Sequence, residues 1–357
     1  MTKGELLRNA YKYMCCSIIA WDNPDRKCED DPRNNVYFFS NEYKKKFCQP
    51  VEKIRKMGKI QYFENKSTST NFNVIEIGDE VIFAFRGSDS KQDWLADFDF
   101  FKVKYQNAKN YINEILKPEM SEEDYNLAII EEIMKGTESF DIPDFLRNSF
   151  FVSPFKNIFS GKNSFLALVS NLSKNKNDNK IESFSDLKDE ENGNFLLNAI
   201  EKTKDIVFHR GFFNQFNSIV DRVEEQFEKY ADSKKKIVFT GHSLGSPLAK
   251  LAWLVSIMKK PEVFNKTFCY IFGTPKIGNK SVNDLFAILG KNDKLVITNI
   301  ERDLVKSVPP ENFGYPAPKD NIRIKAIPAP FKTKFNHTLF YYLYCFKNQA
   351  PVEFDKK

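Results

Sequence analysis

A serine set between two glycines constrains the fold of this chain more than any other feature. In the segment KKKIVFTGHSLGSPLAKLAWLV, Gly241 lies two residues before Ser243 and Gly245 two residues after it, between a strand pattern and a helical pattern. A serine on a sharp strand-to-helix turn needs glycine at both positions, because its backbone is strained and the strand and helix cross too closely for a Cβ atom there. The pattern therefore predicts a strand, a turn and a helix that expose Ser243 as a nucleophile.

The sequence around this turn alternates between helical and strand patterns. Apolar residues recur at helical spacing over 212–227 and 248–258, and apolar runs predict strands at 237–239, 268–272 and 295–300. Upstream, NFNVIEI and VIFAF flank the turn GDE and predict a β-hairpin. This alternation predicts an α/β fold, in which helices cover the faces of a layered sheet.

Composition and charge exclude two classes of protein. The mean hydropathy is −0.49, and charged residues occur throughout, so no apolar run approaches the ~20 residues that span a bilayer. The net charge of +6 comes from lysines interspersed with acids, without the basic and aromatic stripe of a nucleic-acid reader. A membrane-spanning helix and a nucleic-acid partner are therefore not expected.

The start of the chain and the cysteines bear on location. MTKGELLRNAYKYMCCSIIAW contains Glu5 and Lys12 where a secretion leader needs a clean positive start and then an apolar run, so an amphipathic first helix is expected. Six cysteines show no CxxC pair, no metal spacing and no legible disulfide framework, which suits a reducing compartment. A cytoplasmic location is expected, with peripheral membrane association and non-classical export as alternatives. Neither a cofactor nor a metal ion is expected.

Residues 107–205 lack the alternation of helical and strand patterns seen in the flanking parts. They are interpreted as an insertion between two sheet-forming parts, 1–106 and 206–357. A capping box at Ser121 and Asp124 predicts one helix near its start. The aromatic stretch that follows is broken by prolines and a glycine, which predicts a small, mostly helical cap, or a surface that docks on lipid. In either case the insertion should govern the access of large substrates.

A serine hydroxyl becomes a good nucleophile when a histidine takes its proton and a carboxylate orients that histidine. The chain has three histidines. His242 adjoins Ser243 but points the other way along the turn, and His209 precedes it, whereas this type of turn has the order serine, acid, histidine. His337 is therefore the predicted base.

The orienting acid should lie in the loop that leaves the C-terminal end of a sheet strand. The strand pattern LVITNI ends at Glu301, Arg302 and Asp303. Asp303 is the predicted acid, with Glu301 as its substitute. The other acidic residues between the serine and the histidine are Glu262, Asp284, Asp293, Glu311 and Asp320.

The oxyanion of a tetrahedral intermediate needs two donors, and one is the backbone N–H of the residue after the nucleophile, here Leu244. The strand VIFAF ends at Arg86, Gly87 and Ser88, where the glycine lets the backbone approach a ligand and Ser88 offers an N–H or a hydroxyl. From spacing alone, a plain structural turn is the preferred interpretation of this stretch.

Several motifs in order carry a resemblance to a known family: FAFRGSDSKQDWLADFDF, VFHRGFF, IVFTGHSLGSPLAKLA, YIFGTPKIGN, ERDLVKSVPP and His337. Together they resemble the class 3 (fungal-type) lipases of the α/β-hydrolase superfamily, over roughly residues 70–105 and 206–345. The resemblance implies a serine esterase of lipid esters with Ser243, Asp303 and His337 as its triad.

The same resemblance implies further roles. Ser88 and Leu244 would be the oxyanion donors, and SDSKQDWLADF would form a lid hinge and lid helix with Trp94 and Leu95 beside the acyl site. Arg86 would pair with Asp97 and brace the oxyanion loop. The implied fold is an α/β-hydrolase sheet with flanking helices, with the helical insertion before the nucleophile.

The chain departs from the family pattern at two places. Ser246 stands where the family commonly has a second glycine, which is expected to move the helix slightly without loss of chemistry. The long segment between Phe100 and His209 leaves the substrate class open. The predicted activity is that of a triacylglycerol lipase or phospholipase, and peripheral membrane contact is expected. The alternatives are a catalytically silent interaction module that uses the insertion, and an acyltransferase with the same triad.

Overall fold

The fold places the sequence motifs on one mixed sheet with helices on both faces. The computed structural model describes residues 1–21, 41–87, 151–152, 195–196, 198–199, 202–203, 206, 208–303, 305–309, 311, 314–328 and 336–349. Within these ranges, seven strands form one sheet, and two short strands form a separate ribbon.

The antiparallel part of the sheet comes from the N-terminal region. It consists of β1 (Lys59–Asn65), β2 (Thr70–Ile77) and β3 (Glu80–Phe85), which pair in sequence order. The predicted hairpin is confirmed, and its turn contains Gly78 at φ 59°. A positive φ strains residues with a Cβ atom, so a glycine suits this turn.

The parallel part of the sheet begins at β3 and carries the strand-to-helix turn. Its other strands are β6 (Lys236–His242), β7 (Thr267–Phe272), β8 (Leu295–Ile300) and β9 (Ile322–Ile324). Their carboxyl ends meet at one edge of the sheet. The ribbon pairs β4 (Phe151–Val152) with β5 (Phe208–His209) in the antiparallel direction.

One face of the sheet is covered by α3 (Arg210–Asn217), α4 (Val220–Ala231), α5 (Gly245–Lys259) and α6 (Lys280–Leu289). The helical spacing predicted over 212–227 is divided between α3 and α4. Ser218 lies at the break, where both its N–H and its hydroxyl donate to the carbonyl of Gln215, a side-chain bond that competes with the helical pattern. Leu196 and Ala199, which the sequence assigns to the insertion, are helical and buried in the same core.

The opposite face is covered by α1 (Lys3–Trp21), α2 (Asn41–Met57) and α7 (Leu339–Gln349). The predicted first helix is confirmed as α1, and its second half is almost wholly buried. The Ser17 hydroxyl lies 3.0 Å from that of Thr240 on β6, and the Asn73 side chain donates to the Ile19 carbonyl. These bonds fix the end of α1 close behind the Ser243 turn.

The cysteines correct one expectation. Cys15, Cys16, Cys269 and Cys345 are free and buried, but Cys48 is disulfide-bonded. The expectation of a reducing compartment without disulfides is therefore wrong. Spacing along the chain did not reveal the pair, because a disulfide depends on the approach of two Cβ atoms in space.

Parts of the sequence interpretation lie outside the described residues. They include the helix predicted after Ser121, the aromatic part of the insertion except for the backbone of β4, and the lid segment from Ser88 onward. Within the described ranges, every helix is too short or too polar to cross a bilayer.

Candidate active site

Ser243 occupies a strained turn between β6 and α5. Its φ is 57°, in the left-handed region that non-glycine residues rarely adopt. The Ser243 N–H donates to the carbonyl of Phe272 on β7 at 3.0 Å, and its carbonyl accepts from the Ser246 N–H at 2.9 Å. These bonds hold a backbone conformation that would otherwise relax, which is how strain persists at functional sites.

The two flanking glycines allow the strand and helix to cross. A Cβ atom at Gly241 would lie 2.1 Å from the Gly245 carbonyl oxygen, and a Cβ atom at Gly245 would lie 2.2 Å from the carbonyl oxygen of Phe85 on β3. Both clashes would be with backbone atoms, so a side chain at either position would force the strand or the helix to move. Ser246 stands at the position of the family's second glycine. Its buried hydroxyl lies within hydrogen-bond distance, 2.9 Å, of the carbonyl oxygens of both Gly241 and Phe272.

His337 and Asp303 come together at the carboxyl edge of the sheet. His337 precedes α7, and its Nδ1 lies 2.9 Å from Oδ2 of Asp303, in the loop after β8. The Asp303 side chain is fully buried, whereas that of His337 is 18% exposed. Within the described part of the chain, Nε2 of His337 has no hydrogen-bond partner, Ser243 included. Catalytic hydrogen bonds are often loose before substrate binds.

Two further donors hold the Asp303 carboxylate. The Val305 N–H donates to Oδ1 at 2.9 Å, and the Tyr342 hydroxyl donates to Oδ2 at 2.6 Å. The Tyr342 hydroxyl also accepts from the Ile300 N–H. Burial and the nearby Asp303 raise the pKa of Tyr342 well above its usual value, so the hydroxyl stays protonated. The acid is thereby fixed in position before it meets His337.

The structure distinguishes the two carboxylates that the sequence proposed. Asp303 contacts His337 through its side chain, whereas Glu301 is half-buried and receives the Asn336 side-chain amide on its backbone carbonyl. Arg302 between them adopts φ 62°.

Sequence reasoning missed Gly273, which follows β7 at φ 54°. A Cβ atom there would lie 2.9 Å from Cε1 of His337 and 3.0 Å from Oδ2 of Asp303. The missing side chain therefore makes room for the histidine and the acid. The available signal was the glycine at the end of a strand in YIFGTP.

Sequence reasoning also missed the contacts of His242. Its ring is buried and stacks on His337, with 4.5 Å between ring centroids and 30° between planes. Burial and the nearby His337 lower the pKa of His242 well below its usual value. The ring is thus neutral at ordinary pH. No sequence signal points to this contact, because His242 and His337 are brought together only by the fold.

The loop after β3 passes over the nucleophile. A Cβ atom at Gly87 would lie 3.3 Å from Cβ of Ser243, 2.8 Å from the His242 carbonyl oxygen and 2.7 Å from Cζ2 of Trp21. The Arg86 guanidinium donates to the Ser69 carbonyl at 2.7 Å. Leu244 is the N-cap of α5, so its N–H lies at the positive end of a helix dipole.

The remaining predicted site residues lie outside the described ranges. They are Ser88, Trp94, Leu95 and Asp97. The second oxyanion donor, the lid and the pairing of Arg86 with Asp97 therefore stay predictions.

Comparison with known proteins finds a family match for part of the chain. Residues 158–313, a little under half of the chain, match the model of the family Lipase (class 3). The matched range contains Ser243 and Asp303, begins within the predicted insertion and ends before His337. The resemblance read from the sequence is confirmed.

Two curated relatives and one solved structure illustrate the similarity. The secreted mono- and diacylglycerol lipase LIP1 of Malassezia globosa is 31% identical over 116 residues, 32% of this chain and 37% of the relative. A lipase of Rhizopus niveus is 28% identical over 165 residues, 44% of this chain and 35% of the relative. The crystal structure of a lipase from Rhizopus microsporus var. chinensis has a TM-score of 0.47 at 16% identity, covering 94% of this chain and 82% of that one. The chain thus spans about a third of the length of these curated relatives.

These relatives contradict the expected cytoplasmic location. The Malassezia globosa relative is named as a secreted lipase. The disulfide at Cys48 agrees with this correction, because such bonds persist mainly in oxidising compartments.

Proposed function

This chain carries a class 3 lipase region over residues 158–313, and we propose that it hydrolyses carboxylic esters of lipids through an acyl-enzyme on Ser243. The observation that carries the proposal is the contact between His337 and the buried Asp303 at the same sheet edge as the strained Ser243 turn. A nucleophile, a base and an orienting acid at one edge are the parts that acyl transfer requires.

The proposed reaction begins at Ser243. His337 Nε2 takes the proton from the serine hydroxyl while the oxygen attacks the ester carbonyl carbon. The His337 Nδ1–H then donates to Asp303, which stabilises the imidazolium. The oxyanion receives the Leu244 N–H and a donor from Ser88.

Collapse of the tetrahedral intermediate breaks the ester bond. The alcohol leaves with the proton that His337 carries, and the acyl group stays on Ser243. Water then enters, His337 takes one of its protons, and the resulting oxygen attacks the acyl-enzyme. The carboxylic acid leaves, and Ser243 regains its proton. An alcohol in place of water would give acyl transfer with the same residues.

We propose acylglycerols as the substrate class and an extracellular site of action. The name of the Malassezia globosa relative supports both, and the disulfide at Cys48 supports the second. Phospholipid hydrolysis is the alternative that the assay must distinguish, because the predicted insertion over 107–205 would border the entrance to the site.

The test compares wild type with Ser243→Ala on a soluble short-chain ester, emulsified diacylglycerol and phospholipid vesicles. Loss of a triad member typically costs on the order of 10⁶-fold in turnover, so the variant should be inactive. Ser256→Ala on α5 is the matched control and should keep full activity. An inactive but folded wild type would favour the silent interaction module, whereas an active Ser243→Ala variant would remove the nucleophile assignment.

The insertion can be tested by excision. Because Leu196 and Ala199 are buried in the core, the deletion should end before residue 195. We expect the shortened protein to keep hydrolysis of the soluble ester and to change its activity on aggregated lipid. If the ratio of the activities on the two substrates is unchanged, the insertion has no role in substrate access.

A further inference from the structure

One buried group beside the site has no part in the proposed mechanism: the imidazole of His242. Its side chain is at the end of β6, next to Ser243, and the residue is 2% exposed. Within the described part of the chain, neither ring nitrogen makes a hydrogen bond of good geometry, although the backbone of His337 lies close enough to affect the pKa of His242. Buried polar groups are normally hydrogen-bonded, so the placement of this ring calls for an explanation.

Among the described residues, the aromatic contacts of the His242 ring are with His337 and Tyr342. Its ring face lies against His337, and the ring of Tyr342 packs edge-on against it at 5.2 Å and 73°. Tyr342 in turn donates to Asp303, which contacts His337. The His337 ring is therefore bounded by a stacked ring, a carboxylate and the bare backbone of Gly273.

We propose that His242 is a positioning residue for His337, whose stacked ring fixes the plane of the imidazole and stabilises the imidazolium formed when His337 takes the Ser243 proton. This inference rests on the proposed function. A cation over an aromatic face is stabilised by the ring electrons. Because burial keeps His242 neutral, it offers this face without placing a second positive charge beside the first.

A structural role alone makes a different prediction. Phenylalanine and leucine are both apolar and fill similar space, but only phenylalanine presents an aromatic face. If His242 only fills the core, the two replacements should behave alike. If it positions and stabilises His337, only the aromatic replacement should preserve turnover.

The experiment measures kcat and KM of the full chain for His242→Phe and His242→Leu on a soluble short-chain ester. We expect His242→Phe to keep kcat within about threefold of wild type and His242→Leu to lose about tenfold, with KM unchanged in both. Equal kcat values, or a loss confined to KM, would overturn the inference. If His242→Leu does not fold, His242→Gln replaces it with the same expected loss.

A labelling control separates this inference from the proposed function. A fluorophosphonate should label Ser243 in the wild-type protein. If the wild type is not labelled, the proposed function fails and this inference fails with it. If the wild type is labelled but the two His242 variants turn over equally, only the inference on His242 is overturned.

Discussion

Replacing Gly273 by alanine tests how tightly the site is packed. The new Cβ would lie 2.9 Å from Cε1 of His337 and 3.0 Å from its Nδ1 and from Oδ2 of Asp303. Comfortable contacts between carbon atoms begin near ~3.5 Å, so His337 or the loop that carries Gly273 must move by about 0.5 Å. A misplacement of ~1 Å can cost on the order of 10²-fold in rate, so this smaller shift predicts roughly a tenfold loss in kcat. Alanine at φ 54° also lowers the unfolding free energy by about 1 kcal/mol.

Gly78→Ala is the matched control. Gly78 has φ 59° in the turn between β2 and β3, and a Cβ atom there would meet nothing within 4 Å. It should lose about 1 kcal/mol of unfolding free energy with no change in kcat. Urea unfolding and initial rates on a soluble short-chain ester measure both quantities. A Gly273→Ala variant with wild-type kcat, or an equal loss of kcat in Gly78→Ala, would show that the space at Gly273 does not position His337.

Three further predictions follow from buried polar groups. Burial lowers the pKa of Lys250 to about 8, so at pH 7 its charged form destabilises the folded state by about 3 kcal/mol, at ~1.4 kcal/mol per pKa unit. The unfolded chain binds this proton more tightly between about pH 8 and 10.5, so stability rises with pH there. Lys250→Met should therefore raise the unfolding free energy at pH 7 and gain less at pH 10, and urea titrations with equal gains would contradict this. Tyr342→Phe removes a donor to Asp303 and should lower kcat about tenfold with KM unchanged, measured in initial rates; a full-rate variant would show that the Val305 N–H suffices. Asp303→Asn should lower kcat by up to about 10⁴-fold while Glu301→Gln stays near wild type, and the reverse pattern in the same assay would move the acid to Glu301.

The parts of the site that local chemistry dictates could be predicted from the sequence. The turn at Ser243 was visible because only glycine fits where Gly241 packs against the start of α5 and Gly245 packs against β3. The loop after β8 was visible because parallel sheets gather functional groups at their carboxyl edge. Each signal is contained in a few consecutive residues of the chain.

The parts that depend on tertiary packing could not be predicted in the same way. The stacking of His242 on His337 joins residues from β6 and from the start of α7, and no local pattern marks it. In the sequence, Tyr342 resembles the other aromatic residues on the apolar face of α7. Only the fold shows that its hydroxyl donates to Asp303. The disulfide at Cys48 was missed for the same reason.

Covalent labelling of the full chain identifies the nucleophile. The full chain is treated with a fluorophosphonate, which reacts with an activated serine hydroxyl, and the modified peptide is identified by mass spectrometry. We expect one adduct per chain, on Ser243, absent in Ser243→Ala and formed much more slowly in Asp303→Asn, which misorients His337. A folded wild-type protein that gains no adduct, or gains it on another serine, would show that Ser243 is not the nucleophile.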